Sequence, residues 1–273
     1  MRQIVFLNGK FVPQEKAKVS VSTPGFLYGW GLFETMRCRN KKIVYFREHL
    51  KRLYHCAGLL GIKCPYPSDR LKEIVYRAAG KSGFRDSQVR ITLSKAESGT
   101  DILITAKKYL QFPPLKYRKG FRGCVSSFIQ DAPSLLANLK TTNYLLYRLA
   151  LKEAQNKGFD EGIILNHKGH IAEGSRSNLF FVNEGRLFTP SLECGCLDGI
   201  TRRAAIDFAK KYGIKVYEGN FTIPDLYSCQ EAFLTNSLMG IMPLSSLDEK
   251  TIGNDKCKKI TRFLIKRYNY LLR

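Results

Sequence analysis

The sequence predicts an α+β protein in two domains, and three observations carry that reading. In the first part, strand-like arms flank tight-turn dipeptides before the pattern turns helical. A stretch with paired prolines, "LQFPPLKYRKG", then carries few helix or strand signals. Beyond it, short strands and turns lead into a loop, a helix and a strand. The boundaries follow: a small N-terminal α+β domain over 1–112, a linker over 113–119 and a large domain over 120–273.

Each element has its own signal. "QIVFLNGKFVP" reads as two short strands around Asn8-Gly9, because both central residues of the tightest hairpin turn need positive φ. "GLFETMRCRNKKIVYF" repeats the pattern, with Arg39-Asn40-Lys41-Lys42 as its polar turn. "REHLKRLYHCAGLLGI" is helical, since Leu50, Leu53, Tyr54, Ala57 and Leu60 form one stripe. "QVRITLS", "DILITAKKY" and "FRGCVSSF" are strands. "DEGIILNHKGHIAEGSRSNLFFVNEGRLFTP" is a series of strands and turns, and "DGITRRAAIDFAKKYGIKVYE" is a loop, a helix and a strand. A terminal helix is expected in "KCKKITRFLIKRYNYLLR", burying Ile260, Phe263, Leu264 and Leu271.

Composition narrows the function. In 273 residues, 44% hydrophobic and 12% aromatic content supports a packed core and argues against a disordered chain. No apolar run approaches the ~20 residues of a membrane span, and "MRQIVFLNGK" is too short in apolar residues for a signal peptide. The expectation is a cytoplasmic protein with no membrane partner. The eight cysteines are scattered without a CxxC pair, so no metal site is expected. A net charge of +22 would attract anions, yet the basic residues are dispersed and no RNA-binding motif accompanies them. Nucleic acid is therefore not an expected partner, whereas a small anionic substrate is.

The chemistry concentrates in the second half. "LKTTNYLLYRLA" places Lys140 at the entry of an apolar, helix-like run, an expensive position for an amine without a task. Glu173, in "HIAEGSRSNLFFV", follows a strand and precedes a turn of small residues. "LDGITRRA" sets a glycine turn directly before a helix that starts with Ile200 and Thr201, so backbone N–H groups, the helix dipole and a hydroxyl converge on an anion. "FLTNSLMGIMP" offers a second such turn, with Asn236 and Ser237 as donors. An amine, a carboxylate and phosphate-type turns together suit pyridoxal 5'-phosphate, which has an aldehyde, a ring nitrogen and a phosphate.

These motifs, in this order, resemble the class IV aminotransferase superfamily of fold-type IV pyridoxal phosphate enzymes. "FETMR" and "FREHLKRL" carry the likeness in the first half; "LKTTNYL", "AEGSRSNLF", "GCLDGITR" and "FLTNSLMGIMP" carry it in the second. The resemblance implies a D-amino acid aminotransferase-like fold, with a larger C-terminal, β-barrel-like domain flanked by helices. It implies that Lys140 forms the Schiff base with the cofactor and shuttles the proton, and that Glu173 pairs with the ring nitrogen. It further implies that Arg52, Ile200, Thr201 and Ser237 hold the phosphate, with Asn236 in the same turn. Tyr144 would lie near the ring hydroxyl, and Asn178 would support the site around Glu173. A homodimer is implied as well, with Tyr28 among the residues lent to the partner.

Within that superfamily the motifs favour a 4-amino-4-deoxychorismate lyase, which releases pyruvate and 4-aminobenzoate for folate biosynthesis. The reasons are Thr35 in "FETMR", a candidate catalytic residue, and Leu238 and Gly240 in "NSLMG", where aminotransferases usually carry a small or hydroxylic residue and an acidic one. The second reading is an aminotransferase for branched-chain or related amino acids, using 2-oxoglutarate and glutamate. A non-catalytic basic binding protein on the same fold ranks last, since Lys140, Glu173, Arg52 and Thr201 are intact. The loop "KAESGTDILIT" lacks the arginine that lyases place there. Tyr28, Phe33, Arg37, Arg90 and Leu238 remain as candidate substrate contacts, with Lys95 as a further cation.

Overall fold

The computed structural model describes residues 3–253 and 258–271. The chain forms two units, Met1–Leu110 with Leu139–Asn143, and Gln111–Asn138 with Tyr144–Arg273. In the first unit the elements are β1 (Ile4–Leu7), β2 (Lys10–Pro13), α1 (Pro24–Leu27), β3 (Gly31–Arg39), β4 (Lys42–Ile43), α2 (Phe46–Leu59), α3 (Ser68–Lys81), β5 (Ser87–Lys95) and β6 (Thr100–Lys108). They build a six-stranded antiparallel sheet in the order β2-β1-β6-β5-β3-β4. Both predicted hairpins form. Asn8 and Gly9 have φ of 46° and 94°, and Asn40 and Lys41 have 49° and 64°, the paired positive values of a turn matched to strand twist.

One face of this sheet is apolar and carries the helices. Leu32, Met36, Val89, Ile91, Leu93, Ile102 and Ile104 join Leu50, Leu53, Leu71, Ile74 and Val75 in one buried cluster. At roughly 25 cal/mol per Å² of apolar area, each such side chain is worth about 1.5–3 kcal/mol when fully buried. By strand alternation Phe33, Thr35 and Arg37 point to the opposite face.

The Lys140 segment departs from the helical expectation. Residues 139–143 run extended beside β3, where Leu32 and Thr141 form a bridge. Phe33 N donates to Lys140 O at 2.9 Å and Thr142 N donates to Gly31 O at 2.9 Å. Thr142 Oγ1 adds a 2.6 Å bond to Gly29 O. The helix that follows begins only at Leu145, so Lys140 and Tyr144 do not share a helical face. Strand pairing at the edge of β3 overrides the local apolar pattern.

The second unit comprises α4 (Pro114–Lys119), β7 (Phe121–Gln130), α5 (Leu145–Asn156), β8 (Glu161–Asn166), β9 (Ile171–Gly174), β10 (Asn178–Asn183), β11 (Arg186–Pro190), α6 (Ile200–Lys211), β12 (Val216–Gly219), α7 (Ile223–Tyr227), β13 (Glu231–Asn236), β14 (Gly240–Leu247), β15 (Lys250–Thr251) and α8 (Lys259–Leu271). The stretch expected as a linker thus contains the short helix α4. The sheet runs β12-β11-β10-β13-β14-β7-β8-β9, with β15 on β14. Its last strand returns to β10 through a Gly174–Ser177 bridge, which curls the sheet around Phe121, Ile163, Leu179, Phe181, Leu234 and Met242. Helix α5 packs on β7 and β8, while α6 and α8 pack on each other and on β13 and β14.

Helix α8 buries Leu264, as expected, together with Thr261 and Tyr268, whereas Ile260 and Phe263 are half-buried and Leu271 is exposed. The reason is its anchor. Buried Glu231 on β13 accepts from Ile260 N at 3.1 Å and Thr261 N at 2.7 Å, and so sets the rotation of the helix at its first turn. Among the described residues, no helix is long and apolar enough to cross a membrane.

Gly31 allows the Lys140 segment to approach. A Cβ there would stand 2.8 Å from Leu93 O and 2.9 Å from Thr142 Oγ1. Gly31→Ala is expected to cost about 1–3 kcal/mol, read by urea denaturation. Amide exchange should quicken first at Phe33 and Thr142; uniform exchange with unchanged stability would contradict this anchoring.

Candidate active site

In the first unit, β3 places its polar side chains on two different faces. Phe33 and Arg37 are each 4% exposed, and Thr35 is half-buried opposite Arg90 in the β3–β5 register. The Arg90 guanidinium lies 3.6 Å from the Phe33 ring centroid, and Lys140 Nζ lies 4.7 Å from the same centroid. Phe33 therefore collects two cations on its π faces. Arg37, expected in a strand that could face solvent, is instead buried over Tyr109 at 4.3 Å, and its Nε has no hydrogen-bond partner. Phe33, Thr35, Arg37, Arg90 and Lys140 are thus gathered on the sheet's non-helical side or at its edge. Tyr28 is strongly exposed at the end of α1.

The other face of β3 presents Glu34 to α2. Its carboxylate accepts from Arg52 Nε at 2.7 Å and Nη2 at 2.9 Å, and lies 2.6 Å from His49 Nδ1. All three residues are buried. Burial alone pushes the Glu34 carboxyl up, but the charges of Arg52 and His49 and their hydrogen bonds outweigh it and hold the group well below the usual carboxylate range. Arg52, expected to hold phosphate, is therefore locked by a carboxylate that the sequence reading did not single out.

In the second unit, Glu173 on β9 is 5% exposed. Tyr147 Oη donates to its Oε1 at 3.0 Å, and Asn178 Nδ2 lies 3.4 Å from its Oε2. The main bond of Asn178 is to Leu197 O, at 2.7 Å. Tyr144 stacks on Tyr147 with centroids 4.8 Å apart and reaches Ser175 O at 3.4 Å. The loop after Glu173 is pinned from below by fully buried Glu161, which accepts from Ser175 Oγ at 2.5 Å, Arg176 N at 3.0 Å and Arg176 Nε at 3.2 Å. Burial raises the Glu161 carboxyl against the pull of Arg176 and these bonds.

Both anion-type turns form. Gly199 precedes α6 and no side chain caps that helix, so its first N–H groups and the positive end of its dipole are directed to whatever lies in front. A Cβ on Gly199 would fall on Asn178 Oδ1. Ile200 and Thr201 are buried, and Thr201 Oγ1 is 3.5 Å from Tyr268 Oη. In the second turn, Asn236 works differently from the expected donor. Its Oδ1 accepts from Leu238 N and Met239 N at 3.0 and 2.8 Å, and its Nδ2 donates to Arg176 O at 3.1 Å. Ser237 is presented at the tip of that self-closed turn. Gly240 has φ of 70°, and a Cβ there would stand 2.8 Å from the Tyr268 ring. Backbone conformation and packing account for this glycine, so it carries no information on reaction type.

These residues fit pyridoxal phosphate. In the second unit an uncapped helix N-terminus suits its phosphate, and a buried carboxylate with hydrogen-bond support suits a protonated ring nitrogen. Buried Ser177 Oγ and Thr235 Oγ1, beside Asn178 and Asn236 in the chain, also have no hydrogen-bond partner. Sequence reasoning missed Glu34, His49, Gln130, Tyr147, Glu161 and Tyr268. For Glu34 and His49 the signal was present inside "FETMR" and "FREHL", as an acid and a base on elements expected to pack together.

Known proteins share this arrangement of chain. A profile of the class IV amino-transferase family matches residues 31–247. The branched-chain-amino-acid aminotransferase of Escherichia coli is 32% identical over 277 residues, covering 94% of this chain and 89% of that one. A crystal structure of the E. coli enzyme superposes with a TM-score of 0.94 at 29% identity, over 100% of this chain and 95% of that chain. The branched-chain amino acid aminotransferase of T.th., solved with pyridoxamine 5'-phosphate, gives 0.93 at 29% identity, over 100% and 94%. A Legionella pneumophila protein named "Putative 4-amino-4-deoxychorismate lyase" gives 0.87 at 26%, over 94% and 97%.

The buried Glu34 cluster makes stability depend on acid. The folded-state pKa of Glu34 lies below its unfolded value of about 4.3, so its stabilisation is complete above that value and is lost as pH falls below it. Unfolding free energy measured by urea should drop on acidification below about pH 4. Glu34→Gln, which leaves Arg52 without a counter-charge, should cost about 3–5 kcal/mol at neutral pH and flatten that acid slope. An unchanged slope in the variant would remove Glu34 as its source.

Proposed function

The chain belongs to the class IV amino-transferase family, and within it we propose a pyridoxal 5'-phosphate-dependent aminotransferase acting on branched-chain or related amino acids, with 2-oxoglutarate and glutamate as the second pair. The observation that carries this reading is the end-to-end match to branched-chain aminotransferases of similar length. The lyase reading, first from the motifs, gives way to it. One of its supports, Gly240, has a packing explanation, and the Legionella protein is a more distant match in identity and TM-score.

When bound, pyridoxal phosphate supplies an electron-accepting ring that delocalises the charge left at the substrate α carbon. Lys140 is the residue to hold it covalently and, as a free neutral amine, to take the α proton. Glu173 would accept the ring N–H and favour the protonated nitrogen. The N-terminus of α6 and Thr201 would hold the phosphate, the helix end contributing about 0.3–1 kcal/mol for a negative group at an exposed site and more when buried. Arg37 and Arg90 are the candidates for substrate carboxylates, since guanidinium binds carboxylate in two parallel bonds.

A homodimer belongs to the same proposal. Phe26, Leu27, Tyr28 and Trp30 are between 44% and 71% exposed along one short stretch, an apolar surface suited to burial against a second copy. Equilibrium sedimentation that gives a monomer at micromolar concentration would remove this part.

The test of chemistry is a paired assay on one preparation. Leucine with 2-oxoglutarate should give glutamate, while aminodeoxychorismate should give no 4-aminobenzoate; the reverse result restores the lyase. Borohydride reduction of the cofactor-loaded protein should leave a label on Lys140 by peptide mass spectrometry. Lys140→Ala should lose the label and about 10²–10⁴-fold or more in turnover, the usual share of a positioned acid–base group.

A further inference from the structure

We propose that Tyr147, held by Gln130, is a positioning residue that fixes the orientation of the Glu173 carboxylate and lowers its basicity. This rests on the reading of Glu173 as partner of the ring nitrogen. The first link is Gln130, which is buried at the end of β7. Its amide nitrogen lies 3.1 Å from Gly195 O and 3.0 Å from Tyr147 Oη. A backbone carbonyl only accepts, so the nitrogen of Gln130, not its oxygen, must face this side. Both of its hydrogens are then assigned, one to Gly195 and one to the phenol.

The direction of the next link follows. Tyr147 Oη accepts from Gln130, so its single proton goes to Glu173 Oε1, 3.0 Å away. The chain of donors runs one way, Gln130 to Tyr147 to Glu173, and each bond polarises the next. A phenol that donates to a carboxylate favours the charged form and makes it a weaker base toward any other proton. The same bond confines Oε1, while Asn178 Nδ2 lies 3.4 Å from Oε2. Burial, together with the Glu173 charge, pushes the Tyr147 phenol well above its ordinary range, so it remains a donor throughout the working pH range. Two further ionisable groups lie close to the pair: Tyr144, stacked on Tyr147, and Cys196, whose thiol burial and the Glu173 charge keep protonated.

The anchor of the relay is itself constrained. Gly195 has φ of 84°, and a Cβ there would approach Ala132 Cα at 2.8 Å and Gln130 Cγ at 3.0 Å. Only glycine brings its carbonyl to the Gln130 amide. A tyrosine that merely filled space between α5 and β9 would need neither this fixed amide nor a proton aimed at Glu173.

The experiment uses the cofactor-loaded protein reconstituted with pyridoxal phosphate isotopically labelled at the ring nitrogen. Wild type, Tyr147→Phe, Gln130→Met and Glu173→Gln are compared by the nitrogen resonance. Loss of the phenol bond makes Glu173 a stronger acceptor. The resonance in Tyr147→Phe should therefore move toward that of an unprotonated pyridine, as the stronger base draws the ring proton to itself, with a smaller shift of the same sign in Gln130→Met, which keeps the phenol. If both variants match wild type while Glu173→Gln shifts, Tyr147 is a packing residue and the proposal is overturned. If Glu173→Gln also matches wild type, Glu173 does not touch the ring nitrogen and the reading beneath the proposal falls. Should Tyr147→Phe fail to fold, Gln130→Met decides the same question.

Discussion

A carboxylate removed from water must be answered by donors, and this chain, with a net charge of +22, organises itself around four such carboxylates. Glu34, Glu161, Glu173 and Glu231 are all 5% exposed or less. Each joins pieces of chain that are distant in sequence. Glu34 ties β3 to α2, Glu161 ties β8 to the loop after β9, Glu173 receives α5, and Glu231 receives the first turn of α8. Leaving any of them without its donors would cost several kcal/mol, comparable to much of the stability of a domain. The apolar cores supply the larger energy, yet they are tolerant of small displacements. The carboxylates are not, because hydrogen bonds weaken steeply away from their preferred geometry.

Position and chemistry are therefore linked. The turn that carries Glu173 is held by Glu161 through Ser175 and Arg176, and Arg176 O in turn receives Asn236 from the second turn. Two loops with candidate roles toward one cofactor are thus cross-braced by the same residues. Arg52 shows the same logic in the first unit, where Glu34 takes two of its nitrogens and fixes its rotamer. Such bracing is what a site needs if its groups are to be in place before a ligand arrives.

What could be read from sequence divides along physical lines. Turns that demand positive φ, at Asn8-Gly9 and Asn40-Lys41, are local and were legible, as were the strands and the helix N-terminus after Gly199. The motifs around Lys140, Glu173 and Thr201 led to the family. Features fixed by partners far along the chain were not legible. The Lys140 segment looked helical because the apolar residues after it dominate the pattern, yet pairing with β3 draws it into extended form. The α8 stripe was right at Leu264 but not at Leu271, because Glu231, on another element, sets the rotation. Arg37 was left open to solvent because nothing near it in sequence announces Tyr109. Tyr147 offered no signal at all, since a tyrosine three residues beyond another on a helix looks like core. The lyase reading lost one support for a related reason: Gly240 was read as a statement about substrate, when its φ and the ring of Tyr268 explain it.

The position of Tyr268 bears on the order in which the protein is made. It lies in α8, the final element described, and its ring covers Gly240 while its hydroxyl approaches Thr201. A nascent chain emerging from the ribosome thus completes the wall behind the α6 N-terminus only after the residues up to Tyr268 have been made. A chain cut short before α8 would present the family's motifs intact and leave that wall open.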